Sequence, residues 1–121
     1  MKNIHVSIVI PLFNENESLP SLVKSVETVM RKMGKTYEYV FVDDGSTDDS
    51  FNTLLRLKKT VSAPFRIIRF RKNLGKSAAM AVAFDRVMGD HIVTLDADLQ
   101  DDPTEIPKMI EMIEKGFDLV V

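Results

Sequence analysis

Residues 6–15 read Val6-Ser7-Ile8-Val9-Ile10-Pro11-Leu12-Phe13-Asn14-Glu15, an apolar and partly β-branched run that stops at two polar residues. A strand covered on both faces reads this way, because neither face alternates with solvent. Lys2 ahead of the run raises the question of a secretory signal. Such a signal ends in a small-residue cleavage site, and here Asn14, Glu15, Asn16 and Glu17 follow instead. The run is read as a buried strand, and the chain as cytoplasmic.

Working outward, strand and helix alternate. Leu19, Leu22, Val23, Val26, Val29, Met30 and Met33 recur at helical spacing, and Gly34 ends that helix. Tyr37–Val42 (YEYVFV) is the second strand. Ser46 with Asp49 resembles a capping box that opens a helix through Phe51, Leu54, Leu55 and Lys58. Phe65–Phe70 is the third strand, followed by an Ala-rich helix from about Lys76 to Val87, and His91–Leu95 is the fourth strand. Asp102, Pro103 and Glu105 supply an N-cap, a first-turn proline and a capping acid for a helix with Ile106, Met109, Ile110 and Ile113 on one face. That helix should stop at Gly116, and Phe117–Val121 begins a fifth strand within which the sequence ends. The pattern predicts an α/β fold over 1–121: a three-layer α/β/α, Rossmann-like domain with a mostly parallel sheet, truncated in the fifth strand.

Composition agrees with a single globular domain: 121 residues, 45% hydrophobic, with no cysteine and no tryptophan. Sixteen Lys and Arg stand against 18 Asp and Glu, a net charge of -2, so no overall basic field draws the chain to nucleic acid or an anionic membrane. Without cysteine there is neither a disulfide scaffold nor a thiolate metal site. No stretch approaches the roughly 18 apolar residues of a membrane span.

In a parallel sheet of this kind ligands bind beyond the carboxyl ends of the strands. The residues there are polar: Asn14-Glu15, Asp43-Asp44 and Asp96-Ala97-Asp98. Between Asp90 and Glu105 lie six acidic residues and no Lys or Arg. Carboxylates so crowded repel one another unless a cation compensates, and hard oxygen ligands suit Mg²⁺ or Mn²⁺ shared with substrate phosphates. Asp96 and Asp98 are the candidate metal ligands, whereas Asp102 only caps a helix. Position six of an EF-hand frame would be Asp101 in place of Gly, and position twelve Pro107 in place of Glu, which excludes that motif. In Asp43-Asp44-Gly45-Ser46, Asp43 is expected to touch a ribose or base and Asp44 to be largely structural. Arg66 and Arg69 read as a solvated strand edge, while Lys76 could face phosphates. Gly75-Lys76-Ser77 is no P-loop, because Phe70 stands where its first glycine belongs. His5 and His91 read as structural residues flanking strands.

At these residues the sequence resembles the family 2 glycosyltransferases with a GT-A fold. The resemblance lies in Ile10-Pro11-Leu12-Phe13-Asn14-Glu15, Val42-Asp43-Asp44-Gly45-Ser46-Thr47-Asp48, Asn73-Leu74-Gly75-Lys76 and Asp96-Ala97-Asp98, in order along nearly the whole chain. Leu95 to Pro103 looks most like the polyprenyl-phosphate branch of the family. The resemblance implies that Pro11, Phe13, Glu15 and Asp43 line the base and ribose of a nucleotide-sugar donor, UDP- or GDP-linked, with Lys76 beside its phosphates. It implies that Asp96 and Asp98 are a DXD pair on the metal and diphosphate, and that Gln100 is a further metal ligand. It also implies inversion at the anomeric carbon and an acceptor that is a polyprenyl phosphate or glycan. Family members continue past this length, and the acceptor site and catalytic base belong to that second half. This chain is therefore expected to carry the donor site without full activity, the longer protein working at the cytoplasmic face of a membrane.

Two other readings are weaker. A non-catalytic nucleotide-binding module would keep the site without the chemistry. A phosphoacceptor receiver domain also clusters aspartates around Mg²⁺, but its acidic pair follows the first strand, and here the pair follows the second. A sugar nucleotidyltransferase would open with a Gly-rich, Arg-containing loop after its first strand, which Leu12–Glu17 lacks.

Overall fold

The apolar run at residues 6–12 lies in the middle of a four-stranded parallel sheet, in a computed structural model that describes residues 3–98 and 102–115. The elements follow as β1 (Ile4–Leu12), α1 (Leu19–Met33), β2 (Tyr37–Asp43), α2 (Ser50–Lys58), β3 (Phe65–Arg69), α3 (Lys76–Arg86) and β4 (Gly89–Thr94). A short 3₁₀ turn over Pro103–Glu105 leads into α4 (Ile106–Glu114). Gly116, the expected fifth strand Phe117–Val121, and Gln100 lie outside the described residues.

The strand order is β3-β2-β1-β4. The chain steps outward from β1 to β2 to β3, then crosses back over both to place β4 on the far side of β1. Crossovers in parallel sheets are right-handed, so reversing direction moves the connecting helix to the other face. Accordingly α1, α2 and α4 share one face, where Val6, Ile8, Ile10, Tyr39 and Phe41 pack with Leu22, Val26, Leu54, Ile106 and Ile110. The opposite face carries α3, whose Ala79 and Ala83 sit directly on Val9, Val40 and Val42. The alanines bring α3 close to the sheet. Fully burying a Leu or Ile side chain stabilises by about 1.5–3 kcal/mol, so the larger cluster carries most of the hydrophobic stabilisation.

Order 3-2-1-4 is that of the dinucleotide-binding doubly wound sheet, not the 2-1-3-4-5 order of receiver domains. The receiver reading fails on topology.

Local signals behave unevenly. Gly34 ends α1 in the left-handed region at φ 66°, its N–H donating to the Met30 carbonyl, as the sequence predicts. The capping box expected at Ser46 and Asp49 does not form. Helix α2 starts at Ser50, and the Asp49 side chain caps none of its backbone amides. The Asp49 carboxylate instead accepts from Asn52 Nδ2, and Ser46 Oγ accepts the Asn14 amide from a different loop. A tertiary partner has taken the cap. Arg66 is also more than a solvated edge: its guanidinium donates to the Arg86 carbonyl at 2.8 Å and approaches the buried Glu38 carboxylate at 3.9 Å.

Candidate functional site

The carboxyl ends of β1 and β4 part where the strand order reverses, and an open cleft of about 290 Å³ lies there. Pro11, Leu12, Phe13, Glu15, Asp44, Lys76, Asp96, Ala97 and Asp98 line it. Four carboxylates and one ammonium therefore share a space at the small end of the 300–1,000 Å³ range of ligand pockets. The Leu95 amide donates to the Val9 carbonyl at 3.0 Å, which extends the β4 ladder to the residue before Asp96. Asp96 and Asp98 thus leave a strand end, with Ala97 buried between them and Asp98 exposed.

Three loops form the rim, and each is fixed to the next. Asn14 stands at φ 53°, the left-handed region that Asn tolerates better than most residues. From there its Oδ1 accepts the amides of Thr47 (2.8 Å) and Asp48 (3.2 Å), while its own amide donates to Ser46 Oγ (2.8 Å). The Glu15 amide donates to Ser50 Oγ at 3.0 Å. These bonds tie the loop after β1 to the loop after β2. Asp44 ties the loop after β2 to the loop after β3, its carboxylate accepting the Leu74 amide at 2.7 Å and the Gly75 amide at 3.0 Å. Burial pushes the Asp48 carboxyl up, but the Ser50 hydroxyl and amide and the Asn16 amide outweigh it and hold the carboxyl below its usual range.

The structure brings most of the residues singled out from the sequence to one place. The acidic strand ends after β1, β2 and β4 meet in one cleft, and Pro11, Phe13, Glu15, Lys76, Asp96 and Asp98 all line it. The two aspartates of the second strand divide the work differently from expectation. Asp43 is fully buried beneath the cleft rather than lining it: its Oδ1 accepts the Ser46 amide at 2.9 Å, and its Oδ2 has no hydrogen-bond partner among the described residues. Asp44 both braces a loop and faces the cleft. Lys76 Nζ bonds Asp96 Oδ1 at 2.7 Å, so the cation stands on one of the acids it was expected to oppose. Sequence reading assigns Asn14 no role beyond a polar strand end. Its signal is residue type, an Asn where the chain must turn sharply from strand to helix.

Among the described residues, the acidic side of the cleft offers carboxylate oxygens, the donor set that suits Mg²⁺ or Mn²⁺. Asp96 and Asp98, one residue apart in sequence, both line the cleft, and the chemistry of their donor atoms fits such an ion.

The chain belongs to glycosyl transferase family 2, whose sequence model matches residues 7–121. Among curated relatives, undecaprenyl-phosphate 4-deoxy-4-formamido-L-arabinose transferase of Pseudomonas syringae pv. syringae is 43% identical over 115 residues, and that of Pseudomonas fluorescens is 44% identical over the same length. Each alignment covers 95% of this chain and 34% of the relative, so the chain spans about a third of their length. Among solved structures, a Pyrobaculum calidifontis mannosyltransferase in complex with GDP-Man and Mn²⁺ superposes with TM-score 0.71 at 23% identity, over 81% of this chain and 28% of that one. Glucosyl-3-phosphoglycerate synthase from Mycobacterium tuberculosis, in complex with UDP, gives TM-score 0.73 at 21% identity, over 93% and 41%. At such identities these two establish the GT-A fold alone.

Proposed function

From membership of glycosyl transferase family 2, we propose that this chain is the donor-binding part of a metal-dependent, inverting transferase that moves a sugar from a UDP- or GDP-linked donor to a polyprenyl phosphate. The observation that carries the reading is the meeting of Glu15, Asp44, Lys76, Asp96 and Asp98 in one cleft at the switch point of the sheet. The relatives' names supply the acceptor class, and the neighbours' bound GDP-Man, Mn²⁺ and UDP supply the donor class.

The chain's own residues divide the donor between them. Pro11 and Phe13, the latter 43% exposed at the rim, offer apolar surface to the base. Glu15 would accept from ribose hydroxyls, and Asp43 Oδ2, which has no partner among the described residues, would be an acceptor for a base or ribose donor. Asp96 and Asp98 would hold the divalent ion, and the family resemblance adds Gln100, which lies outside the described residues. An ion of this kind, when bound, neutralises the charge that develops on the diphosphate as the sugar–phosphate bond breaks. Lys76, which pairs with Asp96 at 2.7 Å, would supply a positive charge to the same phosphates. The acceptor attacks from the face opposite the departing diphosphate.

Thermal melting with UDP, GDP, UDP-glucose and GDP-mannose, each with Mn²⁺ or EDTA, tests this. Ligand at 100 times its Kd stabilises by about 2.7 kcal/mol. One nucleotide should raise the melting temperature only with Mn²⁺, and Asp98→Ala should abolish the rise. Stabilisation that survives EDTA and the substitution would favour the non-catalytic binding module.

A further inference from the structure

At the other end of the sheet from the cleft, we infer that His5, His91 and Glu114 form a binding site for a divalent transition ion of the zinc type. The inference is independent of the donor site. The three residues come from the start of β1, the start of β4 and the end of α4. One ligand atom from each lies within 4.8 Å of the other two. The imidazole rings meet edge to face, with centroids 4.9 Å apart and planes at 81°.

His5 reaches this position against the pattern of its strand. Val6, Ile8 and Ile10 face α1 and α4, so alternation puts His5 with Ser7 and Val9 on the α3 face. Yet the amides of His5 and Val6 both donate to the Thr36 carbonyl, each at 3.1 Å. The β1–β2 ladder is thus irregular at its first residue, where the His5 amide also donates to Thr36 Oγ1, while the pairing with β4 keeps one register from Ile4 onward. The imidazole points its Nε2 towards Glu114 at 3.8 Å, beyond hydrogen-bond range. That nitrogen is buried and has no hydrogen-bond partner among the described residues. A buried ring nitrogen left without a donor or acceptor is ordinarily avoided; a metal ion supplies the missing partner. Lys115, the neighbouring cation in sequence, is engaged by Glu111 at 2.8 Å and leaves the Glu114 carboxylate to the imidazoles.

Two imidazoles with one carboxylate select zinc over magnesium or calcium, which prefer all-oxygen sites. Tetrahedral Zn²⁺ holds its ligand atoms about 3.3 Å apart, so the triad must contract slightly. Glu114, 51% exposed at a helix end, has the freedom to close that distance. The ion would pin the end of α4 to the amino ends of β1 and β4, leaving one coordination position open to water.

The test uses the 121-residue chain carrying Asp96→Ala and Asp98→Ala, which removes the cleft carboxylates as competing ligands. After chelation, Zn²⁺ is titrated while melting is followed, and Co²⁺ is added separately for its visible absorption. The inference expects saturable stabilisation at one Zn²⁺ per chain, with an apparent affinity at least tenfold weaker in His91→Gln and in Glu114→Gln. It also expects an intense tetrahedral Co²⁺ band that needs no further substitution to interpret. An unchanged melting temperature with Zn²⁺, equal stabilisation in the variants, or a weak octahedral Co²⁺ spectrum would each overturn it.

Discussion

A β-carbon built on Gly45 falls 2.4 Å from the carbonyl carbon of Lys72 and 2.5 Å from the amide nitrogen of Asn73, and the residue stands at φ 75°. Two backbones, one from the loop after β2 and one from the loop after β3, touch where a side chain would be. Gly45→Ala therefore combines left-handed strain with a clash against main chain, which cannot rotate away. It should cost about 2–4 kcal/mol, read as a lowered urea midpoint with the slope unchanged. Next to it, Asp44→Ala removes the acceptor for the Leu74 and Gly75 amides. Leaving them unpaired should cost about 1–3 kcal/mol and weaken nucleotide binding through the displaced loop. Asp48 adds a pH signature. Its folded carboxyl titrates below the unfolded value, so its stabilisation is present above the unfolded pKa of about 3.9 and is lost as pH falls through the folded one. Melting temperature should fall below about pH 4, and Asp48→Asn should make that fall shallower. An equally steep fall in the variant would assign the acid loss to other groups.

At the scale of elements, β2 carries a feature that its alternation conceals. Glu38 is 1% exposed, and its Oε2 accepts from Ser7 Oγ and from the Met88 amide, each at 2.6 Å. Ser7 Oγ in turn accepts the Gly89 amide at 2.7 Å. One carboxylate thus joins β1, β2 and the turn into β4, the strand on the far side of β1. Glu38→Ala should destabilise by about 3–5 kcal/mol, because it strands buried donors and removes the partner of Arg66. Chemical denaturation measures it, and a loss under 1 kcal/mol would mean that water replaces the carboxylate. The order and type of these elements were legible in the chain because each has an unambiguous period: the buried stripe of α1, the apolar run of β1, the alanines of α3. Glu38 in YEYVFV was not, since an acid inside an apolar strand gains meaning only when its tertiary partners are known. The same limit explains Ser46, whose hydroxyl looked like a helix cap until Asn14, 32 positions away, claimed it.

For the molecule as a whole, position in the sheet decides the site. The reversal of strand order at β1 opens the cleft, and the acidic strand ends identified from sequence meet there because parallel strands all deliver their carboxyl ends to one edge. Spacing along the chain could not rank Asp43 against Asp44, because one residue's difference turns a side chain from beneath the cleft to its wall. The central claim is that this cleft takes a nucleotide with a divalent ion. The most direct test is an amide chemical-shift map of the ¹⁵N-labelled chain, titrated with UDP or GDP in the presence of Mg²⁺. The account predicts saturable shifts confined to residues 12–15, 44–46, 74–76 and 96–98, disappearing with EDTA. Shifts centred on another surface, or none with either nucleotide, would contradict it.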